Sequence, residues 1–217
     1  MKNILHRHKK YWTSKEYLLA MSASIALLIV SFVANFYMGQ YATRKASNAV
    51  TDIVLDNIRV YDVNLIFIYG PIFLWLFVTA LCVRHPEKIP FVIKSVALFI
   101  LIRSIFISLT HIAPAPDQLL INYSSDFVRA FTFGGDLFFS AHTGLPFLMA
   151  LIFGNNKRLL FIFTLISIFF GAIVLMAHVH YTIDVVSAFF ITYTIFHLAK
   201  YFFKKDWKIF HEGLPLF

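Results

Sequence analysis

The sequence predicts an all-α polytopic membrane protein, a bundle of six transmembrane helices. Two observations carry that reading. Apolar residues make up 59% of the chain and charged residues only 14%, whereas soluble domains are about half apolar and about a quarter charged. Apolar runs of about 20 residues, the length that crosses a hydrocarbon core, also recur along the chain. No polar stretch is long enough for a separate soluble domain. A single membrane domain over residues 1–217 is therefore expected.

The expected spans are Tyr17–Gly39, Val63–Val83, Phe91–Ile112, Leu137–Phe153, Leu159–Ala177 and Ile183–Tyr201. The first follows a basic segment and is too long for a cleaved leader, so it reads as a retained helix. Between the first two spans, Val50, Ile53, Val54, Ile58 and Tyr61 fall on one helical face, which favours an interfacial helix over Ser47–Tyr61 ahead of an ordinary connecting loop. The net charge is +8. Its basic residues gather at the chain ends and in short connections, where they set topology rather than bind nucleic acid. The side holding the N-terminus, Arg84, Lys88, Lys157, Arg158 and the tail lysines outweighs the side holding Arg44, Lys45, Arg59 and Arg129. Both termini are thus expected in the cytoplasm.

Chemistry concentrates at two helix starts. One reads Gly134-Gly135-Asp136-Leu137-Phe138-Phe139-Ser140-Ala141-His142-Thr143-Gly144, the other His178-Val179-His180-Tyr181-Thr182-Ile183-Asp184-Val185. Both fall on the extracytoplasmic side under that topology. Ionisable groups at membrane depth are costly and usually functional. Two helix N-termini at one depth present free N–H groups and positive dipole ends to an anion. His180 and Asp184 are four residues apart and share a helical face. A carboxylate on one ring nitrogen fixes the tautomer and leaves the other lone pair free to attack. His142, on another helix, is placed to act as acid and then base, which suffices for double displacement through phosphohistidine.

These two segments, with Arg103-Ser104-Ile105-Phe106-Ile107-Ser108-Leu109-Thr110 and Pro114-Ala115-Pro116 before them, resemble the sphingomyelin synthase family. That family is a branch of the type-2 phosphatidic acid phosphatase superfamily. The resemblance runs from about Arg103 to Val185. It implies a six-helix bundle of that superfamily's type, His180 as nucleophile, Asp184 as its orienter and His142 as general acid and base. It also implies transfer of a phospho-head-group from a phospholipid such as phosphatidylcholine or phosphatidylethanolamine to a lipid alcohol such as ceramide or diacylglycerol. The family's Ser-Gly-His is Ser140-Ala141-His142 here. The superfamily's phosphatases carry Lys-x6-Arg-Pro and an Arg six residues before the nucleophile; the latter position here is Val174. A phosphomonoester dianion needs several cations, so a basic-poor site favours a diester.

Arg103 reads as a phosphate ligand ahead of a partner for Asp126 or Asp136, and Asp136 as a contact for a cationic head group. Ser140 reads as a helix cap or phosphate contact. His178 reads as a phosphate contact or a support for His180, or equally as a partner in a structural bond, and Tyr181 as an interfacial anchor near the substrate. No cofactor or metal is expected. The expected partners are membrane lipid substrates, with no nucleic acid and no obligate protein. The rival activities are a phospholipase C-like hydrolase or lipid phosphate phosphatase on the same scaffold, and a non-catalytic transporter or scaffold.

Overall fold

The computed structural model describes residues 2–120 and 135–213. Arg129, read above as a loop cation, lies outside them, as do Asp126 and Gly134. The described residues form eight α-helices and no strand: α1 (Lys2–Trp12), α2 (Lys15–Lys45), α3 (Asn64–Arg84), α4 (Ile89–Leu109), α5 (Ala141–Ile152), α6 (Lys157–Met176), α7 (Thr182–Phe202) and α8 (Lys204–Glu212). Five stretches, covering α2, α3, α4, α6 and α7, are long and apolar enough to cross a membrane. The sixth expected span is shorter. α5 has 12 residues, about 18 Å of helix against a core of about 30 Å.

Each helix start has a local cause. Ser14 accepts from the Tyr17 N–H at α2, and Ser140 accepts from Thr143 N–H at α5. Asn156 accepts from the N–H groups of Arg158 and Leu159 at α6. These side chains satisfy donors that the first turn leaves free. Pro90 sits in the first turn of α4, where its missing N–H costs nothing.

Small residues set how α2 meets α4. Tyr17, Met21, Ser24, Ser31, Gly39 and Ala42 are the buried residues of α2, a seam with near-heptad spacing. Ser24 Oγ donates to Ala20 O at 2.7 Å and reaches Pro90 O at 3.2 Å. Ser104 Oγ lies 3.5 Å from Asn35 Oδ1 and donates to Ile100 O at 2.7 Å. Small and hydroxylated residues let membrane helices approach closely and share hydrogen bonds. The opposite face of α2 is apolar and exposed, as at Leu19, Ile29 and Val33. α3 is the most peripheral span, with only Leu74, Val78 and Cys82 buried. The core lies among α4, α5, α6 and α7, around Phe99, Phe139, Leu148, Phe163 and Ile195.

Three features differ from the expectations. Residues 47–61 are not an interfacial helix; only Leu55–Asn57 form a short 3-10 turn. Their backbone groups bond elsewhere: Ser47 N–H donates to His111 O at 2.8 Å, Tyr61 N–H to Met176 O at 2.9 Å, and Asn48 O accepts from Ala113 N–H at 3.1 Å. Tertiary partners thus replace the helical ladder, and Ile53 faces outward. The span expected to reach Ile112 ends at Leu109, because Thr110 turns extended (ψ 132°). The charged flanks, read only as topology signals, fold into α1 and α8. These dock through Arg7 Nη2 to Glu87 Oε1 and through Lys94 Nζ to Asp206 Oδ2, both at 2.7 Å.

The Lys94–Asp206 pair is almost wholly buried. Removing one partner of such a pair strands the other charge, at a cost of about 3 kcal/mol or more. Asp206→Ala should lower unfolding stability in detergent by that order. Lys94→Met/Asp206→Leu should recover most of the loss, and equal stability of the single variant and the wild type would refute this role.

Candidate active site

Four segments meet at one end of the bundle: the end of α4, the turn 135–140, the α6–α7 junction and the loop before α3. The junction begins where α6 stops. His178 N–H donates to Leu175 O at 3.0 Å and Val179 N–H to Val174 O at 3.1 Å. This is the Schellman pattern, whose left-handed position usually holds glycine. His178 occupies it instead, with φ 54°. A side chain there costs roughly 1–2 kcal/mol, so the position stores strain beside the site.

The His178 ring is 1% exposed, and its Nδ1 lies 3.0 Å from Asp117 Oδ2. The His178 ring against it holds the Asp117 carboxyl below its ordinary range. Asp117 follows Pro116 in an ordinary turn sequence, and nothing in the sequence singled it out. His178 is therefore joined to the loop after α4.

His180 and Asp184 come together as their spacing requires. His180 Nδ1 is 3.5 Å from Asp184 Oδ2, with side chains 8% and 2% exposed. At that separation the two groups face each other as a close pair without a hydrogen bond. The same Oδ2 accepts from Tyr181 N–H at 2.9 Å. The carboxylate thus binds its own helix start and faces the imidazole, leaving His180 Nε2 as the nitrogen turned away from it.

α5 is tied to this unit through its cap. Ser140 N–H donates to the Asp184 carbonyl at 3.0 Å, and Ser140 is wholly buried. His142 follows two residues later in the first turn of α5 and lies in electrostatic range of His180 and Arg103. Its ring stacks on Phe67 of α3 (centroids 4.3 Å apart) and meets Phe170 of α6 edge-on. A small cleft beside it is lined by Pro71, Leu74, Trp75, Leu145 and Phe170, almost entirely apolar.

Arg103 and Asp136, read above as substrate contacts, face each other. Arg103 Nη1 pairs with Asp136 Oδ1. Its Nε donates to Phe139 O at 2.8 Å and its Nη2 to Asp136 O at 2.9 Å. The guanidinium therefore braces the turn that leads into Ser140 and His142. That turn also approaches α2 closely: Gly135 N–H donates to Thr43 Oγ1 at 3.1 Å, and a Cβ on Gly135 would come within 2.7 Å of the Ala42 and Thr43 backbone.

Tyr181 is not an interfacial anchor. It is 2% exposed, its hydroxyl donates to Ala113 O at 2.9 Å, and Val50 N–H reaches that oxygen at 3.4 Å. It is a strut between the two loops. Asp52 caps α7 from outside. Its Oδ2 accepts from Thr182 N–H at 2.7 Å and its Oδ1 from Thr182 Oγ1 at 2.6 Å. No sequence signal marks such a cap, because donor and acceptor lie 130 residues apart. Among the described residues no cluster of His, Cys, Asp or Glu is arranged to hold a metal ion.

Residues 133–201 match the family model described as PAP2 superfamily C-terminal. The matched stretch holds α5, α6 and α7 with His142, His180 and Asp184. The match makes this stretch similar to the type-2 phosphatidic acid phosphatase superfamily. No curated protein and no solved structure matches the chain.

Burial opposes the charge on Asp52, but the Thr182 hydroxyl and the Leu55, Thr182 and Val54 N–H groups outweigh it and hold the carboxyl below its ordinary value of 3.8. The contribution is present above that ordinary value and is lost as pH falls through the lower folded one. Asp52→Asn should therefore flatten the acid limb of the stability–pH curve. Superimposable curves for variant and wild type would count against the cap.

Proposed function

We propose that this chain is a sphingomyelin-synthase-like lipid phosphotransferase working through phospho-His180. In the first half-reaction, His180 Nε2 attacks the phosphorus of a phospholipid head group. The bond to the glyceride oxygen breaks, and His142 protonates that oxygen so that diacylglycerol leaves. In the second, His142 takes the proton of an incoming alcohol, whose oxygen displaces His180 from phosphorus. Asp184 steadies the imidazolium that forms in between.

One observation carries the choice of a diester substrate: the only arginine built into the described site is neutralised by Asp136 and bound to two carbonyls. A monoester dianion bound against His180 would find the Arg103 guanidinium already committed. The apolar cleft against His142 supports a lipid substrate, since acyl chains fit where a water-soluble ester gains nothing. Low exposure of His180 and Asp184 favours an alcohol acceptor over bulk water. Asp136, with its charge committed to Arg103, is left out of head-group selection. The preponderance of Lys and Arg at the far end of the bundle supports an extracytoplasmic site with cytoplasmic termini.

The test is product analysis with head-group-labelled phosphatidylcholine or phosphatidylethanolamine, with and without ceramide or added diacylglycerol. A new labelled phospholipid that requires the alcohol is expected. Free phospho-head-group without one would establish a hydrolase, and inorganic phosphate released from phosphatidic acid would establish a phosphatase. His180→Ala should abolish turnover and the labelled covalent adduct together. His142→Ala should slow turnover by about 10²–10⁴-fold, the usual worth of a general acid–base. Full activity of His180→Ala would end the proposal.

A further inference from the structure

The helices that bring His180 to one end carry a different set of side chains to the other. α6 runs for 20 residues from its Asn156 cap, about 30 Å of helix, so the two ends are a bilayer core apart. At the far end lies a cavity of ≈ 570 Å³ between α1, the Pro86–Lys88 turn, the α5–α6 connection and α8. That is the size of a small-molecule site, and the reaction proposed above makes no use of it.

We propose that this cavity is a second binding site, for a phosphate-bearing anion held by Lys88 and His211. The acid in the wall, Glu87, faces other cations through one oxygen: its Oε1 takes Arg7 Nη2 at 2.7 Å and lies 3.1 Å from His85 Nδ1, while its buried Oε2 has no hydrogen-bond partner among the described residues. Lys88 has no such partner. Its Nζ sits over the rings of Phe210 and Phe153 at 4.9 and 5.4 Å, and no carboxylate among the described residues pairs with it. A half-buried ammonium held only by ring faces retains donors for an anion.

His211 stands beside it with Nδ1 3.2 Å from Asn155 Nδ2, leaving Nε2 for a ligand. Burial, then Lys88 and then Lys200, hold its pKa below the ordinary value. Lys200 also rests on aromatic rings, those of Trp207 and Phe196. The positive potential that opposes protonation of His211 is the one that attracts an anion, and the N-terminal dipole of α6 adds to it. The floor of Ile152, Phe153 and Phe210 is buried and apolar, which strengthens charge interactions above it. The ligand chemistry is thus a phosphate ester, supplied by an anionic lipid head group of the adjoining leaflet or by a soluble ester.

The test uses the full chain in nanodiscs of phosphatidylcholine, with unfolding temperature as readout. One arm replaces part of the lipid with phosphatidylglycerol; the other adds glycerol phosphate to phosphatidylcholine discs. A rise with phosphatidylglycerol alone identifies the head group, and a rise with glycerol phosphate identifies a soluble ester. Either rise should fall by at least half in Lys88→Gln and persist in Lys208→Gln, a control for general surface charge on exposed α8. His211→Gln gives the same reading should Lys88→Gln fail to fold. No rise in either arm, or an undiminished rise in both site variants, would overturn the proposal. Catalytic turnover does not enter the readout, so its outcome is independent of the lipid phosphotransferase reading.

Discussion

Asp184 reaches in three directions, and the described site depends on that one residue. Its carboxylate accepts from the Tyr181 N–H and faces the His180 ring, while its carbonyl accepts from the Ser140 N–H. The first contact starts α7, the second sets a carboxylate against the imidazole, and the third fastens the cap of α5. A residue that reads as an orienter is thus also the joint between two helices. Buried and almost without exposure, these polar groups have no water to turn to. Each bond therefore matters more than it would on a surface.

Around that joint, charged and polar residues support the turns that present His142 and His180. Arg103 holds the turn before α5 by its carbonyls, Asp52 caps α7 from a distant loop, and Tyr181 ties the two loops to each other. His178 accepts a strained backbone so that α6 can end abruptly at Met176 and α7 can begin six residues later. Preorganisation of this kind would leave little to rearrange in the proposed transfer as charge develops on phosphorus.

The two ends of the bundle solve opposite electrostatic problems. At the His180 end, the buried Arg103 is neutralised by Asp136 and bound to two carbonyls. At the far end, Lys88 and Lys200 rest on aromatic faces without carboxylate partners, and α1 and α8 bring further cations alongside. Between them runs an apolar core with α2 and α3 presenting exposed aliphatic faces outward. That distribution is what a bilayer demands of a chain whose backbone is satisfied within helices.

Much of this was legible in the sequence, for local reasons. Long apolar runs fixed α2, α3, α4, α6 and α7, since length and hydropathy are properties of a segment alone. The spacing of His180 and Asp184 fixed their shared face. Tertiary structure decided the rest, because those contacts join residues far apart in the chain. It turned Arg103 and Asp136 toward each other, made Tyr181 a buried strut and brought Asp117 to His178. It also drew the 47–61 segment out of a helix, since its backbone found partners at His111, Ala113 and Met176 that amphipathic spacing does not foretell. Periodicity reports which face of an element is apolar; only the assembled bundle reports which polar groups meet across it.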